Sequence, residues 1–161
     1  MATLLVLQHT PSASLSALGD AVLAGAHDDA ITGVEVVARS PLEASAEDLL
    51  AADGYLLGTA AHFGYMSGAL KHLFDSTFLA IGGSLDAAGG AAPGSTKGKP
   101  YGLWVHGRYD TAGAIRSVGS IVAALGWAQA APVLDVLGDV TGEQLEAAYE
   151  LGATLAALLS D

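Results

Sequence analysis

Short apolar runs of strand length alternate with stretches of helical period along the chain, and this alternation limits the fold more than any other feature. We count five segments of each kind. A helix between two strands returns the chain to the same edge of a sheet, so the strands that it joins pair in parallel. The pattern therefore predicts an α/β protein with three layers, in which helices cover both faces of a five-stranded parallel sheet.

The predicted strands are short and apolar. They cover approximately residues 3–8, 34–38, 54–58 and 101–106, and the fifth lies within residues 128–136. Pro132 lies in the last of them, and because proline has no N–H group for a central ladder, this strand should lie at a sheet edge. A strand order of 2-1-3-4-5 is typical of such sheets and places the first, third and fourth strands side by side.

The predicted helices carry recognisable start and stop signals. The start signals are Ser12, the capping boxes Ser45/Asp48 and Thr141/Gln144, Ser67, and Asp110 as the N-cap of the fourth helix. Gly126 supplies the stop of the fourth helix, since glycine readily adopts the left-handed conformation that ends a helix. The segment between residues 81 and 100 has no periodicity and is long for a connection, which indicates either a mobile lid or a disordered insertion.

Composition restricts the chemistry that the chain can perform. With 161 residues the chain fits one domain, residues 1–161, that buries a substantial core. Cysteine is absent, which excludes disulfides, thiolate metal sites and thiol nucleophiles made from this sequence. Any redox chemistry must therefore use a bound cofactor.

The formal net charge is -11, from 17 acidic and 6 basic residues. Such a chain repels polyanions, so neither nucleic acid nor an acidic membrane is expected as a partner. The opening apolar run has no basic lead-in and is too short to cross a bilayer, which predicts a cytoplasmic, soluble protein. A bound phosphate would have to be held by backbone N–H groups and hydroxyls at a helix start.

Three loops should meet at one rim of the sheet, because they follow the three adjacent strands. They cover residues 9–15, 59–67 and 106–113. Open α/β sheets bind ligands at the carboxyl ends of such strands. In the first loop Thr10, Ser12 and Ser14 offer hydroxyls at a helix start, a pattern that suits either a phosphate or simple capping of the helix.

The second loop carries the most specific motif. The sequence from residue 59 reads Thr-Ala-Ala-His-Phe-Gly-Tyr-Met-Ser-Gly-Ala-Leu-Lys, and Phe-Asp follows at residues 74–75. This stretch resembles the second flavin-binding loop of the flavodoxin-like FMN reductases, with the family residues at Thr59, Phe63, Gly64, Met66, Ser67, Leu70, Lys71 and Asp75. The resemblance implies a flavodoxin-like fold, noncovalently bound FMN, and electron transfer from NAD(P)H to a quinone, another flavin or a similar small-molecule acceptor.

A set of cofactor contacts on the three loops follows from the hydroxyl pattern and the resemblance. The contacts expected near the phosphate, on the first loop, are His9, Thr10, Ser12, Ala13, Ser14 and Leu15. Leu15 stands where the family has a threonine, and Ser14 or Ser16 can supply the hydroxyl that this threonine would provide. On the second loop, at the ring edge, they are Thr59, Ala60, Ala61, His62, Phe63, Gly64 and Tyr65. On the third, at the pyrimidine end, they are His106, Gly107, Arg108, Tyr109 and Asp110. No side chain is predicted as catalytic, because the flavin carries the chemistry.

Other interpretations remain open at this point. Arg108 can either balance charge on a reduced flavin or form a surface salt bridge. A single-electron carrier would share the FMN site without NAD(P)H activity, and an acidic surface suits docking on a basic redox partner protein. His9, His62 and His106 each follow one of the adjacent strands, so they can also be read as metal ligands of a hydrolase. Whether the chain forms a homo-oligomer is open as well.

Overall fold

A mainly parallel sheet forms the centre of the computed structural model, which describes residues 1–90 and 96–160. Its strands are β1 (Ala2–Gln8), β2 (Val34–Arg39), β3 (Gly54–His62), β4 (Tyr65–Met66), β5 (Pro100–Gly107), β6 (Ala128–Gln129) and β7 (Leu134–Leu137). The order is β2-β1-β3-β5-β6, while β7 also pairs with β5 and β4 pairs with β3. The predicted order 2-1-3-4-5 is confirmed, because β5 is the fourth predicted strand and β6 and β7 together are the fifth.

The last predicted strand is divided in two. β6 pairs in parallel with the start of β5, and β7 pairs in parallel with its end. Pro132 lies between the two short strands, where its missing N–H group interrupts no ladder. The edge position is confirmed, and the single strand predicted within residues 128–136 is present as two short strands.

Five α-helices of the described residues pack on the sheet, and a π-helical turn (Leu79–Gly83) follows the third. The α-helices are α1 (Ala13–Ala26), α2 (Ala46–Ala51), α3 (Gly68–Thr77), α4 (Ala112–Leu125) and α5 (Gly142–Leu159). Ser12, Ser45, Ser67 and Thr141 cap four of them through their side chains, as predicted. Gly126 ends α4 in the left-handed conformation, also as predicted. None of the helices within the described residues is both long and apolar enough to span a membrane.

The start of α4 differs slightly from the prediction. Thr111, not Asp110, occupies the N-cap position, and the Thr111 side chain makes no capping hydrogen bond. The Asp110 carboxylate nevertheless accepts a hydrogen bond from the Ala112 N–H group at 2.9 Å. Asp110, one residue before the N-cap, therefore accepts from one of the free N–H groups in the first turn of the helix.

Alternating residues of the strands supply two cores, one on each face of the sheet. Leu5, Leu57 and Val105 pack with α3 and α4 on one face. On the other face, Val6 and Trp104 belong to a cluster with α1 and α5. The three-layer α/β prediction is thereby confirmed.

The glycine-rich connection between α3 and β5 is attached at the end of the sheet where β5 begins, whereas the three loops lie at the other end of the strands. The Thr96 hydroxyl donates to the Ile81 carbonyl and accepts a hydrogen bond from Trp127 Nε1. The Gly98 N–H group donates to the Gly126 carbonyl, just before β5 begins. These attachments fix the two ends of the segment, and residues 91–95 lie outside the described residues.

Candidate functional site

The three loops meet around one open hollow at the carboxyl ends of β1, β3 and β5. Its volume of about 520 Å³ lies within the range of small-molecule pockets. The lining residues are Pro11, Ser12, Ser14, Ala60, Ala61, His62, Phe63, Gly64, His106, Gly107, Arg108, Tyr109 and Asp110. Pro11 is the lining residue that was not among the predicted contacts, although it lies between two of the predicted hydroxyls. The hollow thus gathers residues from all three predicted loops.

The start of α1 offers hydrogen-bond donors to the hollow. The Ser12 side chain accepts from the Leu15 N–H group at 3.2 Å and so caps the helix. The N–H groups of Ala13 and Ser14 have no intrahelical partner, as in any first turn, and find none elsewhere in the described part of the chain. These groups and the Ser14 hydroxyl lie at the positive end of the helix dipole. This neutral donor set fits a phosphate group.

Some predicted residues of the first loop do not line the hollow. Leu15 is buried in the core beneath α1, where it cannot take the place of a surface hydroxyl. Thr10 lines a separate depression with Gln8 and Arg39. Ala13 lies between two lining residues without being one, and His9 does not line the hollow.

The second loop is a tight hairpin between β3 and β4. His62 pairs with Tyr65, and Phe63 and Gly64 form the turn with φ values of 50° and 75°. Positive φ at both central residues is typical of a type I′ turn, in which Asn-Gly is the preferred sequence. Phe63 is the one non-glycine residue with positive φ among residues 1–90 and 96–160, and its side chain is fully exposed. The hairpin therefore holds an aromatic side chain at the hollow in a strained conformation.

Thr59 lies beneath this hairpin and does not line the hollow. Its hydroxyl accepts from the Ser67 N–H group at 2.9 Å and donates to the Ala60 carbonyl. Thr59 is fully buried, so it joins the end of β3 to the start of α3 and positions the loop. Tyr65 lines a neighbouring groove instead.

Two residues of the third loop are held by the segment after β7. His106 is buried, and its Nε2 atom lies 2.7 Å from the Gly138 carbonyl oxygen, so this nitrogen donates. Arg108 forms an ion pair with Asp139 at 2.7 Å, and the guanidinium hydrogen bond lowers the pKa of the Asp139 carboxyl. Of the two interpretations of Arg108, the salt bridge is the one present. Neither Gly138 nor Asp139 was singled out from the sequence, because nothing in their local pattern indicates this contact.

The metal interpretation of the histidines has no geometric support. Within residues 1–90 and 96–160, no three His, Asp or Glu side chains form a group that could hold a metal ion. His62 is exposed at the end of β3, and His106 already donates from Nε2 to a carbonyl oxygen. The alternative of a metal-dependent hydrolase using His9, His62 and His106 is therefore dropped.

Helix α4 touches the hairpin through a glycine. A Cβ atom on Gly113 would lie 1.8 Å from the Gly64 carbonyl oxygen, so a side chain at position 113 would push the two elements apart. Gly107 is similarly enclosed, with Ala61 and Thr111 each 3.0 Å from an added Cβ. These contacts fix the distance between the second and third loops. The resulting slot, with Phe63 and Tyr109 exposed beside it, fits a planar ring system whose phosphate tail reaches α1.

The strand order and the rim of three loops define the flavodoxin-like class of α/β folds. Solved structures of this class resemble the chain over nearly its whole length. Oxidised flavodoxin 1 from Bacillus cereus has a TM-score of 0.78 at 17% identity, covering 99% of this chain and 100% of that one. A flavodoxin from the domain Archaea gives 0.74 at 18%, covering 99% of both chains. The WrbA-like flavodoxin of Agrobacterium tumefaciens gives 0.71 at 15%, covering 99% and 98%.

A narrower assignment comes from the sequence. The family model described as NADPH-dependent FMN reductase matches residues 12–140, a span that contains most of the hollow. The chain belongs to this family. No curated protein matches it. The resemblance noted in the second loop is thereby confirmed at the level of the family.

Proposed function

We propose that this protein holds FMN in the hollow and passes electrons from NAD(P)H to a quinone, a flavin or a similar acceptor. The main support is that the free N–H groups of α1 and the strained, exposed Phe63 border the same hollow. The first feature suits a phosphate and the second a flat ring. Membership of the family supports the same activity. When bound, FMN supplies the electron-transfer chemistry.

Each loop has a separate task in this proposal. The Ala13 and Ser14 N–H groups and the hydroxyls of Ser12 and Ser14 hold the phosphate without a cation. Backbone of residues 60–64 borders the ring edge, where Phe63 covers part of a face. Residues 106–110 border the pyrimidine end, and Tyr109, 95% exposed, is available to a second substrate. Besides Ala13, the predicted contacts that do not line the hollow are His9, Thr10, Leu15, Thr59 and Tyr65. Of these, the buried Thr59 positions the second loop and the buried Leu15 fixes the start of α1 on the core.

Two measurements test the proposal in sequence. Purified protein titrated with FMN should bind it stoichiometrically, with the flavin absorption band shifted from that of free FMN. The FMN-loaded protein should then oxidise NADPH or NADH in the steady state when a quinone is present. Absence of binding would overturn the whole proposal. Binding without turnover would overturn the reductase and leave the carrier described next.

A single-electron carrier is the second candidate function. The formal net charge of -11 favours it, because acidic carriers dock on basic redox partner proteins by electrostatic attraction. A carrier would use the same FMN site and would lack turnover with both nicotinamide nucleotides. The steady-state measurement above therefore separates the two functions.

A further inference from the structure

His106 is a buried polar side chain that lines the hollow at the end of β5 and is 6% exposed. Its Nε2 atom is bound to the Gly138 carbonyl, whereas its Nδ1 atom forms no hydrogen bond with any described residue. Among those residues, the fully buried side-chain atoms without a partner are Gln8 Oε1 and Trp104 Nε1. His106 Nδ1 is not one of them, so it keeps an accessible surface, which opens on the hollow.

The bound nitrogen decides which tautomer the neutral ring adopts. A carbonyl oxygen can only accept a hydrogen bond, so the proton of the His106 ring must be on Nε2. Nδ1 then has a lone pair and no proton, which makes it an acceptor. Its donor has to come from the molecule that fills the hollow.

The carbonyl that fixes this tautomer is itself held by the third loop. The Gly138 N–H group donates to the Gly107 carbonyl at 2.8 Å, and the next residue, Asp139, is paired with Arg108 at 2.7 Å. Gly138 has a φ of 85°, a conformation that glycine adopts without strain. The acceptor at Nδ1 is therefore set in place before a ligand arrives, which lowers the cost of binding one.

The alternation of side chains along β5 directs the His106 ring to the α1 side of the sheet. Trp104, two residues earlier on the same face, belongs to the core with α1 and α5, as does Ala60, which pairs with His106. Gly107 faces the other side, where an added Cβ would lie 3.0 Å from Thr111. The backbone of His106 can thus border the pyrimidine end of the flavin while its side chain points toward α1.

The ribityl chain is the part of FMN that connects these two regions. In the proposed arrangement the ring lies between the hairpin and α4, and the phosphate lies at the start of α1. The chain between them carries three hydroxyl groups, each of which can donate a hydrogen bond. We propose that His106 Nδ1 accepts a hydrogen bond from a ribityl hydroxyl and that His106 thereby selects a flavin with a hydroxylated chain. The inference rests on the proposed FMN site.

The first test compares FMN with an analogue in which an unsubstituted five-carbon chain carries the same phosphate. Fluorescence titrations of the native protein should give a Kd for the analogue at least about tenfold higher than that for FMN, because Nδ1 is then covered without a donor. Equal Kd values for the two ligands would overturn the inference.

Two variants separate the acceptor from the bond to Gly138. His106→Leu removes both ring nitrogens, so the Kd for FMN should rise about tenfold and the preference for FMN over the analogue should shrink by a similar factor. His106→Asn also loses the bond to Gly138, but its Oδ1 atom replaces Nδ1 as an acceptor, so it should keep most of the preference. A residue that acts only through the Gly138 bond would give the same result in both variants, and that outcome would overturn the inference.

Other parts of the cofactor can be tested with the same pair of proteins. Riboflavin lacks the phosphate, and 3-methyl-FMN lacks the imide N–H group of the pyrimidine end. His106→Leu should leave the Kd ratio of each of these to FMN as it is in His106→Asn. A change in the riboflavin ratio would assign Nδ1 to the phosphate, and a change in the 3-methyl-FMN ratio would assign it to the imide. Either change would overturn the ribityl contact.

The tautomer supplies a readout that does not depend on FMN. Nitrogen-15 NMR of the FMN-free protein, at a pH where the His106 ring is neutral, should show the proton on Nε2. A proton on Nδ1 would overturn the inference, whatever the protein binds. Absence of FMN binding by the native protein would overturn the proposed function itself, whereas FMN binding without discrimination against the analogue would overturn this inference alone.

Discussion

At the scale of single residues, Phe63 is the side chain whose position needs the most explanation. A bulky residue in the left-handed region costs about 1 kcal/mol or more, and an exposed side chain gains nothing from burial in return. The preceding strand and the buried Thr59–Ser67 hydrogen bond hold the turn in place regardless of this cost. Strain of this kind is typical of functional sites, so the aromatic ring is best explained by a ligand that it contacts.

Replacing the strained Phe63 should raise the stability of the protein and lower its affinity for FMN. Phe63→Asn gives the turn its preferred Asn-Gly sequence, so the free energy of unfolding of the FMN-free protein should rise by about 1 kcal/mol. The affinity for FMN should fall about tenfold, since ring contacts are lost. Chemical denaturation and a fluorescence titration measure the two effects. Phe63→Leu is the control: it should weaken FMN binding without any gain in stability, and unchanged affinity in both variants would show that Phe63 does not contact the ring.

At the scale of elements, the distance between hairpin and helix sets the width of the hollow. The contact of Gly113 with the Gly64 carbonyl joins the first turn of α4 to the turn of the hairpin. Close approaches of the same kind join α1 to α5, where an added Cβ on Gly152 would lie 1.9 Å from the Val22 carbonyl oxygen. The glycines of this chain therefore act as spacers between elements as well as in turns.

A pair of substitutions on one helix tests the spacer role. Gly113→Ala should destabilise the protein by about 1–3 kcal/mol through overpacking and should weaken FMN binding, because the second and third loops move apart. On the same helix, an added Cβ on Gly119 would have no atom within 4 Å, so Gly119→Ala should stabilise the protein by about 0.5–1 kcal/mol. Thermal denaturation with and without FMN measures both. Similar effects of the two substitutions would contradict the proposed contact.

Elements with strong local signals were predictable from the sequence, and contacts between distant elements were not. Apolar runs and capping residues such as Ser12 and Thr141 gave the order of strands and helices, because period and capping depend on near neighbours. The split at Pro132 was missed, since apolar residues continue on both sides of it. The hairpin at Phe63 and the link from His106 to Gly138 depend on tertiary packing, which local patterns do not encode.

At the scale of the whole molecule, the charge balance should affect the electron-transfer properties. The chain has a net charge of -11, and Arg108, the basic residue that lines the hollow, is already paired with Asp139. Negative charge gained by the flavin on reduction therefore meets a field that opposes it. The bound cofactor should be harder to reduce than free FMN.

A redox titration tests this expectation. The midpoint potential of bound FMN should be lower than that of free FMN. Asp139→Asn frees the Arg108 guanidinium and should move the potential upward, by more than Asp20→Asn, which removes an equal charge from an exposed position on α1. A potential above that of free FMN, or equal shifts in the two variants, would contradict the role given to the charge balance.

The whole account depends on a phosphate held at the start of α1 by uncharged donors, and a fluorescence titration with FMN tests this most directly. Ser12→Asp and Ser12→Asn both keep a good helix cap, and they differ in one charge. A carboxylate about 4 Å from a phosphate charge costs about 4 kcal/mol at an effective dielectric constant of 20, so Ser12→Asp should weaken FMN binding at least about a hundredfold. Ser12→Asn should bind FMN nearly as the native protein does. Equal affinity in all three proteins would contradict the account, because the phosphate would then lie elsewhere.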